Sequence, residues 1–173
     1  MAFSPPNSLL VAGAADIVHL FAGVNSGIWY AKVRTYVPST QVGELWFILL
    51  NSYAPLGFQH WSVQVVLCVT GCTFGIPGSV VNIGGSDGGG GGSLPLITDQ
   101  WVEIIAEVDL TANTYTVFYN GTPIDATPQT WTVTGVLEIQ AVDLFSNGST
   151  ESYNDNFWLD TTLPVELMNF TVS

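Results

Sequence analysis

Between residues 101 and 124 the chain alternates so regularly that few folds remain open to it. Val102, Ile104, Ala106, Val108 and Leu110 alternate with Glu103, Ile105, Glu107 and Asp109, which is the two-residue period of a strand with one buried face. After a short polar connection a second strand is expected from Thr114 to Tyr119. Asn120-Gly121 then supplies the positive φ values that a two-residue hairpin turn needs, and a third strand should start near Thr122. Three consecutive antiparallel strands specify an all-β meander.

The remainder of the chain agrees with that reading. Residues 9–11 and 16–21 are short strand candidates, and 27–38 alternates with Trp29, Ala31, Val33 and Thr35 on one face. Residues 44–53 form a nearly continuous apolar run, flanked by Gly43 and Pro55, that reads as a buried strand. In 60–69 the pattern points Trp61, Val63, Val65, Leu67 and Val69 inward and Gln64 and Cys68 outward. Further strands are expected over 135–145, with Leu137, Ile139 and Ala141 buried, over 153–159, and over 165–172. Residues 84–92 hold seven glycines around Ser86 and Asp87. Without a following Gly-Lys-Ser/Thr or a helix start they read as a long flexible loop, not a phosphate cradle. No segment has sustained helical periodicity, so the expected architecture is a two-sheet antiparallel β-sandwich of the jelly-roll kind. The expected organisation is one domain over residues 1–173, with a C-terminal extension at 163–173.

Charge narrows the function. Lys32 and Arg34 are the only basic residues against 14 acids, a net charge of -12. Such a surface repels phosphate backbones and anionic lipid, which argues against nucleic-acid binding. No apolar run approaches the about 20 residues needed to span a bilayer, so no membrane insertion is expected. Residues 9–23 come nearest, but Asp16 and His19 interrupt them and no positive segment precedes them, so they do not read as a signal peptide. An exported protein would therefore have a leader absent from this chain.

Cys68 and Cys72 are four residues apart. In a straight strand their Cα atoms would be about 13 Å apart, too far for a bridge, whereas a turn through Gly71 brings the sulfurs together. Both a disulfide, implying an oxidising compartment, and two small buried thiols fit the spacing. Asn120, Asn147 and Asn169 each begin an Asn-x-Ser/Thr triplet, the acceptor pattern for N-glycans in exported chains.

The segments Trp101-Val-Glu-Ile, Val108-Asp-Leu, Tyr119-Asn-Gly, Ile139-Gln-Ala-Val-Asp-Leu-Phe-Ser-Asn-Gly and Tyr153-Asn-Asp-Asn-Phe-Trp-Leu, in that order, resemble the concanavalin A-like lectin and glucanase jelly rolls. Among these the chain looks most like the laminin-G-like modules of bacterial secreted proteins. Upstream, Tyr36-Val-Pro-Ser, Phe47-Ile-Leu-Leu-Asn-Ser-Tyr and Trp61-Ser-Val-Gln-Val extend the likeness. The resemblance implies a secreted, extracellular or cell-surface module. Glucanases of this fold carry Glu-x-Asp-x-x-Glu or Glu-x-Asp-x-Glu on one strand, and neither spacing occurs here. Glu103 and Glu107 would lie roughly 13 Å apart, beyond the ~5–9.5 Å of glycosidase carboxylate pairs, while Glu107 and Asp109 at roughly 6.6 Å would fit. Acids opposite an apolar face are more simply the solvated side of a strand. His19 and His60 stand apart from any triad or metal spacing.

The resemblance also implies a structural calcium ion near the chain ends. Asp155 sits in the segment that would supply a ligand, and Asp16, Asn156 and Asp160 would complete an oxygen shell. The alternative is that these groups cap strand ends. For sugar binding, exposed rings beside amides or carboxylates are needed, and Tyr36, Trp46, Tyr53, Gln64 and Trp131 are the candidates. The first reading is thus a non-catalytic extracellular module for glycan or surface recognition. A self-assembling structural subunit is the alternative, with 9–11, 165–172 and the 84–92 loop contacting other copies. A glycoside hydrolase comes last.

Overall fold

The alternation at 101–110 becomes strand β8 (Trp101–Asp109), whose even-numbered side chains are buried and whose odd-numbered ones are half-buried. Asn120 and Gly121 take φ of 48° and 75°, the hairpin conformation anticipated above, and join β9 (Thr114–Tyr119) to β10 (Thr122–Pro123). The computed structural model describes residues 2–85 and 90–162, and none of these is helical. The expected strand at 165–172, the extension at 163–173, Asn169, Ser86 and Asp87 lie outside the described residues.

Two antiparallel sheets pack face to face. One runs in the order β1 (Leu9–Leu10), β13 (Tyr153–Asp160), β3 (Ile28–Tyr36), β8, β9, β10, with β11 (Gln129–Thr130) also on β9. The other runs β2 (Asp16–Leu20), β12 (Ala141–Asn147), β4 (Glu44–Tyr53), β5 (Gln59–Cys68), β6 (Ser79–Asn82), β7 (Ser93–Pro95). Leu9 and Leu10 pair with Asn154 and Tyr153 of the same chain, at the edge of the first sheet.

Between the sheets, Ala31, Val33, Ile104, Ala106, Val108 and Val117 face Leu45, Phe47, Leu49, Val63, Val65, Leu67, Val142 and Leu144. Each large aliphatic or aromatic side chain buried here contributes about 1.5–3 kcal/mol relative to exposure. The strand expected at 135–145 begins only at Ala141. Leu137 is 42% exposed, because the preceding segment is held in turns by Asn113 Oδ1, which accepts from Thr132 N–H, and Thr132 Oγ1, which accepts from Gly135 N–H.

The glycine-rich loop is tied down where it is described. Asp125 Oδ1 accepts from Gly92 N–H at 2.8 Å and Gln129 Oε1 from Gly90 N–H at 2.7 Å. Buried Asn82 links this anchor to the core, donating to Asp125 Oδ2 and to Tyr115 Oη. Burial, opposed by the Asn82 hydrogen bond and reinforced by Asp125, pushes the Tyr115 phenol up to about 12. Glycine is needed at 85 because a Cβ there would stand 2.2 Å from the Trp61 carbonyl oxygen. The composition that reads as looseness thus serves close backbone approach.

Candidate functional site

The six-stranded sheet carries a second apolar cluster on its outer face. Trp46, Ile48 and Leu50 of β4, Val66 of β5 and Ala141 of β12 are buried there, although they point away from the core. The pairing register builds this face directly: Trp46 stands beside Phe145 and Val66, and Ile48 beside Gln64 and Asp143.

Two irregularities turn the face into a cleft. The β4–β5 register shifts between Leu49 and Leu50, so Trp61 pairs with Leu50 and faces outward, 36% exposed, instead of into the core as alternation requires. A β-bulge re-aims side chains in this way, since one extra residue reverses the faces beyond it. The second is the 72–78 segment, which folds back over the sheet and covers Cys68, whose outward position would otherwise be open. A disulfide between Cys68 and Cys72, with Cα atoms 5.9 Å apart, holds its start.

Glu44 holds the next turn. Its Oε1 accepts from the backbone N–H of Thr73, Phe74 and Gly75 at 2.6–2.8 Å, and its Oε2 accepts from Asn147 Nδ2. Burial alone would raise the Glu44 carboxyl, but these donors outweigh it and keep it below the ordinary carboxylate value. The turn places Phe74 edge-on to Trp46, with ring centroids 5.5 Å apart, and Phe145 meets the same indole at 6.1 Å.

The resulting cleft, about 230 Å³, has Phe74, Trp61 and Phe145 as walls and Trp46 and Ile48 as floor. Gln59, Gln64, Asp16 and Asp143 supply its polar groups. The Asp143 carboxyl lies beside the Asp16 carboxyl in the lining of this cleft. Burial and the neighbouring Asp16 carboxyl push Asp143 up to about 7. Asp143 Oδ1 and Trp46 Nε1 are both buried without a hydrogen-bond partner. Buried polar atoms are normally paired, and both of these belong to residues that line the cleft.

Of the five residues expected to bind sugar, the structure brings Trp46 and Gln64 into this cleft. Tyr53 packs at the margin of the same apolar cluster but lines a separate hollow with Glu138 and Gln140. Trp131 is a core residue, 1% exposed and edge-on to Tyr115. Tyr36 lies on the seven-stranded sheet, between Trp101 and Tyr153. Asp143, Trp61 and Phe74 escaped sequence reasoning. Asp143 sits inside the alternating run 141–145, whose parity was the available signal, whereas the bulge behind Trp61 and the turn behind Phe74 left none.

The residues expected around calcium are not gathered. Asp16 is beside Asp143 on the six-stranded sheet, while Asp155, Asn156 and Asp160 are on β13 of the other. Asp155 accepts from Phe3 N–H and Ser4 N–H at 2.9 Å and from Ser4 Oγ at 2.8 Å, which fastens the N-terminal segment. Ser4 Oγ also reaches Asn156 Oδ1, and Asp160 accepts from Thr161 N–H. Among the described residues no group of three or more His, Cys, Asp or Glu side chains could hold a metal.

The acids of β8 are likewise engaged on the opposite outer face. Glu103 pairs with both Lys32 and Arg34, Glu107 stands beside Tyr30 across the strand pair, and Asp109 Oδ1 caps the turn at Thr111 and Ala112. Asn120 is exposed at its hairpin, and Asn147 is committed to Glu44. His60, isolated in sequence, meets Asn51 Nδ2 at 2.7 Å in a buried polar group with Ser62.

Two antiparallel sheets in this strand order form a β-sandwich of the concanavalin A-like lectin/glucanase fold, and solved structures superimpose on it. A sialidase superimposes with a TM-score of 0.60 at 10% identity, over 87% of this chain and 14% of that one. The carbohydrate recognition domain of Emp46p, in a potassium-bound form, gives 0.59 at 10% identity, over 90% and 83%. The catalytic domain of a glycoside hydrolase family 131 protein from Coprinopsis cinerea gives 0.50 at 14% identity, over 83% and 60%. This chain therefore spans about a seventh of the sialidase and three-fifths of the hydrolase domain. No family model and no curated protein matches the sequence.

Proposed function

We propose that this protein is a non-catalytic, extracellular glycan-recognition module that binds sugar in the cleft on the outer face of its six-stranded sheet. The observation that carries the reading is the unpaired Trp46 Nε1 beside an aromatic-walled hollow containing two carboxyls and two amides. Rings cover the apolar faces of a pyranose while amides and carboxyls meet its hydroxyls. Similarity in fold to a carbohydrate recognition domain supports the reading. So does the disulfide, which fits an oxidising compartment.

The arrangement of the carboxyls supports binding without hydrolysis. Asp16 and Asp143 crowd each other closely enough that the charge of one raises the pKa of the other, whereas glycosidases keep their pair about 5–9.5 Å apart to admit the sugar carbon or a water. The test is a glycan array followed by calorimetry on the full chain. Phe74→Ala is the informative variant, because Phe74 is 60% exposed and its loss spares the core. It should weaken the best array hit about tenfold, some 1.4 kcal/mol, with an unchanged Tm and no release of reducing ends. A blank array from folded protein overturns the proposal.

A further inference from the structure

Resting on the glycan reading above, we propose that the sugar in this cleft carries a protonated primary amine, as a glucosamine unit of deacetylated chitin does. Two features of the cleft argue against acidic and neutral sugars, and a third against a simple amine.

An acidic sugar has no counter-charge. Lys32 and Arg34, the only basic residues of the chain, are both paired with Glu103 on the opposite outer face. A uronate or sialate in the cleft would instead meet Asp16 and Asp143. A neutral sugar offers hydroxyls to the orphaned atoms but brings no charge to two carboxyls crowded together, which can relieve their repulsion only by holding a proton between them. An ammonium group relieves it directly, since one cation in the cleft can pair with both carboxyls together.

The walls suit a cation as well. Faces of Trp and Phe attract an ammonium within about 6 Å of the ring, and Trp61, Phe74 and Phe145 surround the carboxyls. A simple amine is nevertheless insufficient. Trp46, 6% exposed, presents a buried donor, Nε1, that needs an acceptor, and a bare ammonium has none. An amino sugar supplies both on one ring: the ammonium for the carboxyls and a neighbouring hydroxyl oxygen for Trp46.

The test titrates the full chain by calorimetry with tetramers of glucosamine, of N-acetylglucosamine and of glucose. It is run at about pH 6, where a primary amine is charged, and in about 0.15 M salt to screen diffuse attraction. The glucosamine tetramer should bind at least tenfold more tightly than the other two. Asp143→Asn and Asp16→Asn, which keep shape but leave no carboxyl to ionise against the ammonium, should each reduce it to their level. Asp16 is exposed, so its variant carries the test if Asp143→Asn does not fold.

Equal or tighter binding of a neutral tetramer, lost in Phe74→Ala, overturns the amine preference while the glycan reading stands. Glucosamine binding that ignores both Asn variants also overturns it, as a polycation held only by the net charge of -12 would behave that way. Binding by none of the three here, together with a blank array, overturns both.

Discussion

Asp143 is the residue at which pH should be felt. The folded chain keeps the proton on this carboxyl up to about 7, through burial and the adjacent Asp16, whereas the unfolded chain releases it near the ordinary carboxylate value of about 4. Between those two values the folded state binds the extra proton, so this group's contribution to stability falls as pH rises across the window. Asp143→Asn removes the fall. Thermal unfolding should place variant and wild type level near pH 4 and the variant more than about 3 °C higher near pH 8. Parallel Tm profiles would mean that Asp143 ionises as an exposed carboxyl does. Trp61 shows how much one residue's surroundings decide: a single register shift takes it from an expected core position to the wall of the cleft.

At the scale of elements, the 72–78 turn depends on Glu44 and the disulfide. Glu44→Ala would strand the N–H groups of Thr73, Phe74 and Gly75 together with the Asn147 amide. The cost should reach about 3 kcal/mol in denaturant unfolding. The Glu44 pKa is depressed, so its contribution is complete above the unfolded carboxylate value and disappears as pH falls through the lower folded one. Hydrogen exchange at residues 73–75 should accelerate in acid before exchange in β4 does. The disulfide closes a short loop, and Cys68→Ser with Cys72→Ser should cost about 2 kcal/mol from chain entropy. Gly85→Ala, which drives a Cβ toward the Trp61 and Ser62 carbonyls, should both lower Tm and weaken ligand binding by displacing Trp61. Loss of stability with unchanged affinity would separate the loop from the cleft.

At the scale of the whole molecule, 14 acids against two basic residues leave a net charge of -12, and the excess carboxylates repel one another. Raising salt from about 0.01 to 0.5 M shortens the screening length several-fold, and Tm should rise accordingly. The sandwich was legible from sequence because a buried face imposes a period of two wherever a strand is half-covered, as in β8 and β9, and because Asn120-Gly121 fixes a hairpin register locally. Trp46 and Gln64 were legible as candidates for the same reason: parity and residue type are local properties. Trp131 and Tyr36 look identical to Trp46 by those measures, yet one fills the core and the other stands on the far sheet. Sequence by itself determined the long strands β3, β4, β8 and β9, the alternating faces of β8 and β9, and the acidic surface, since each follows from neighbours along the chain. Only the tertiary structure decided where the cleft is. That required β2, β12, β4 and β5 to become neighbours, a bulge to reverse Trp61, and Glu44 to capture a turn some thirty residues away, and none of these contacts is encoded by spacing within a single strand.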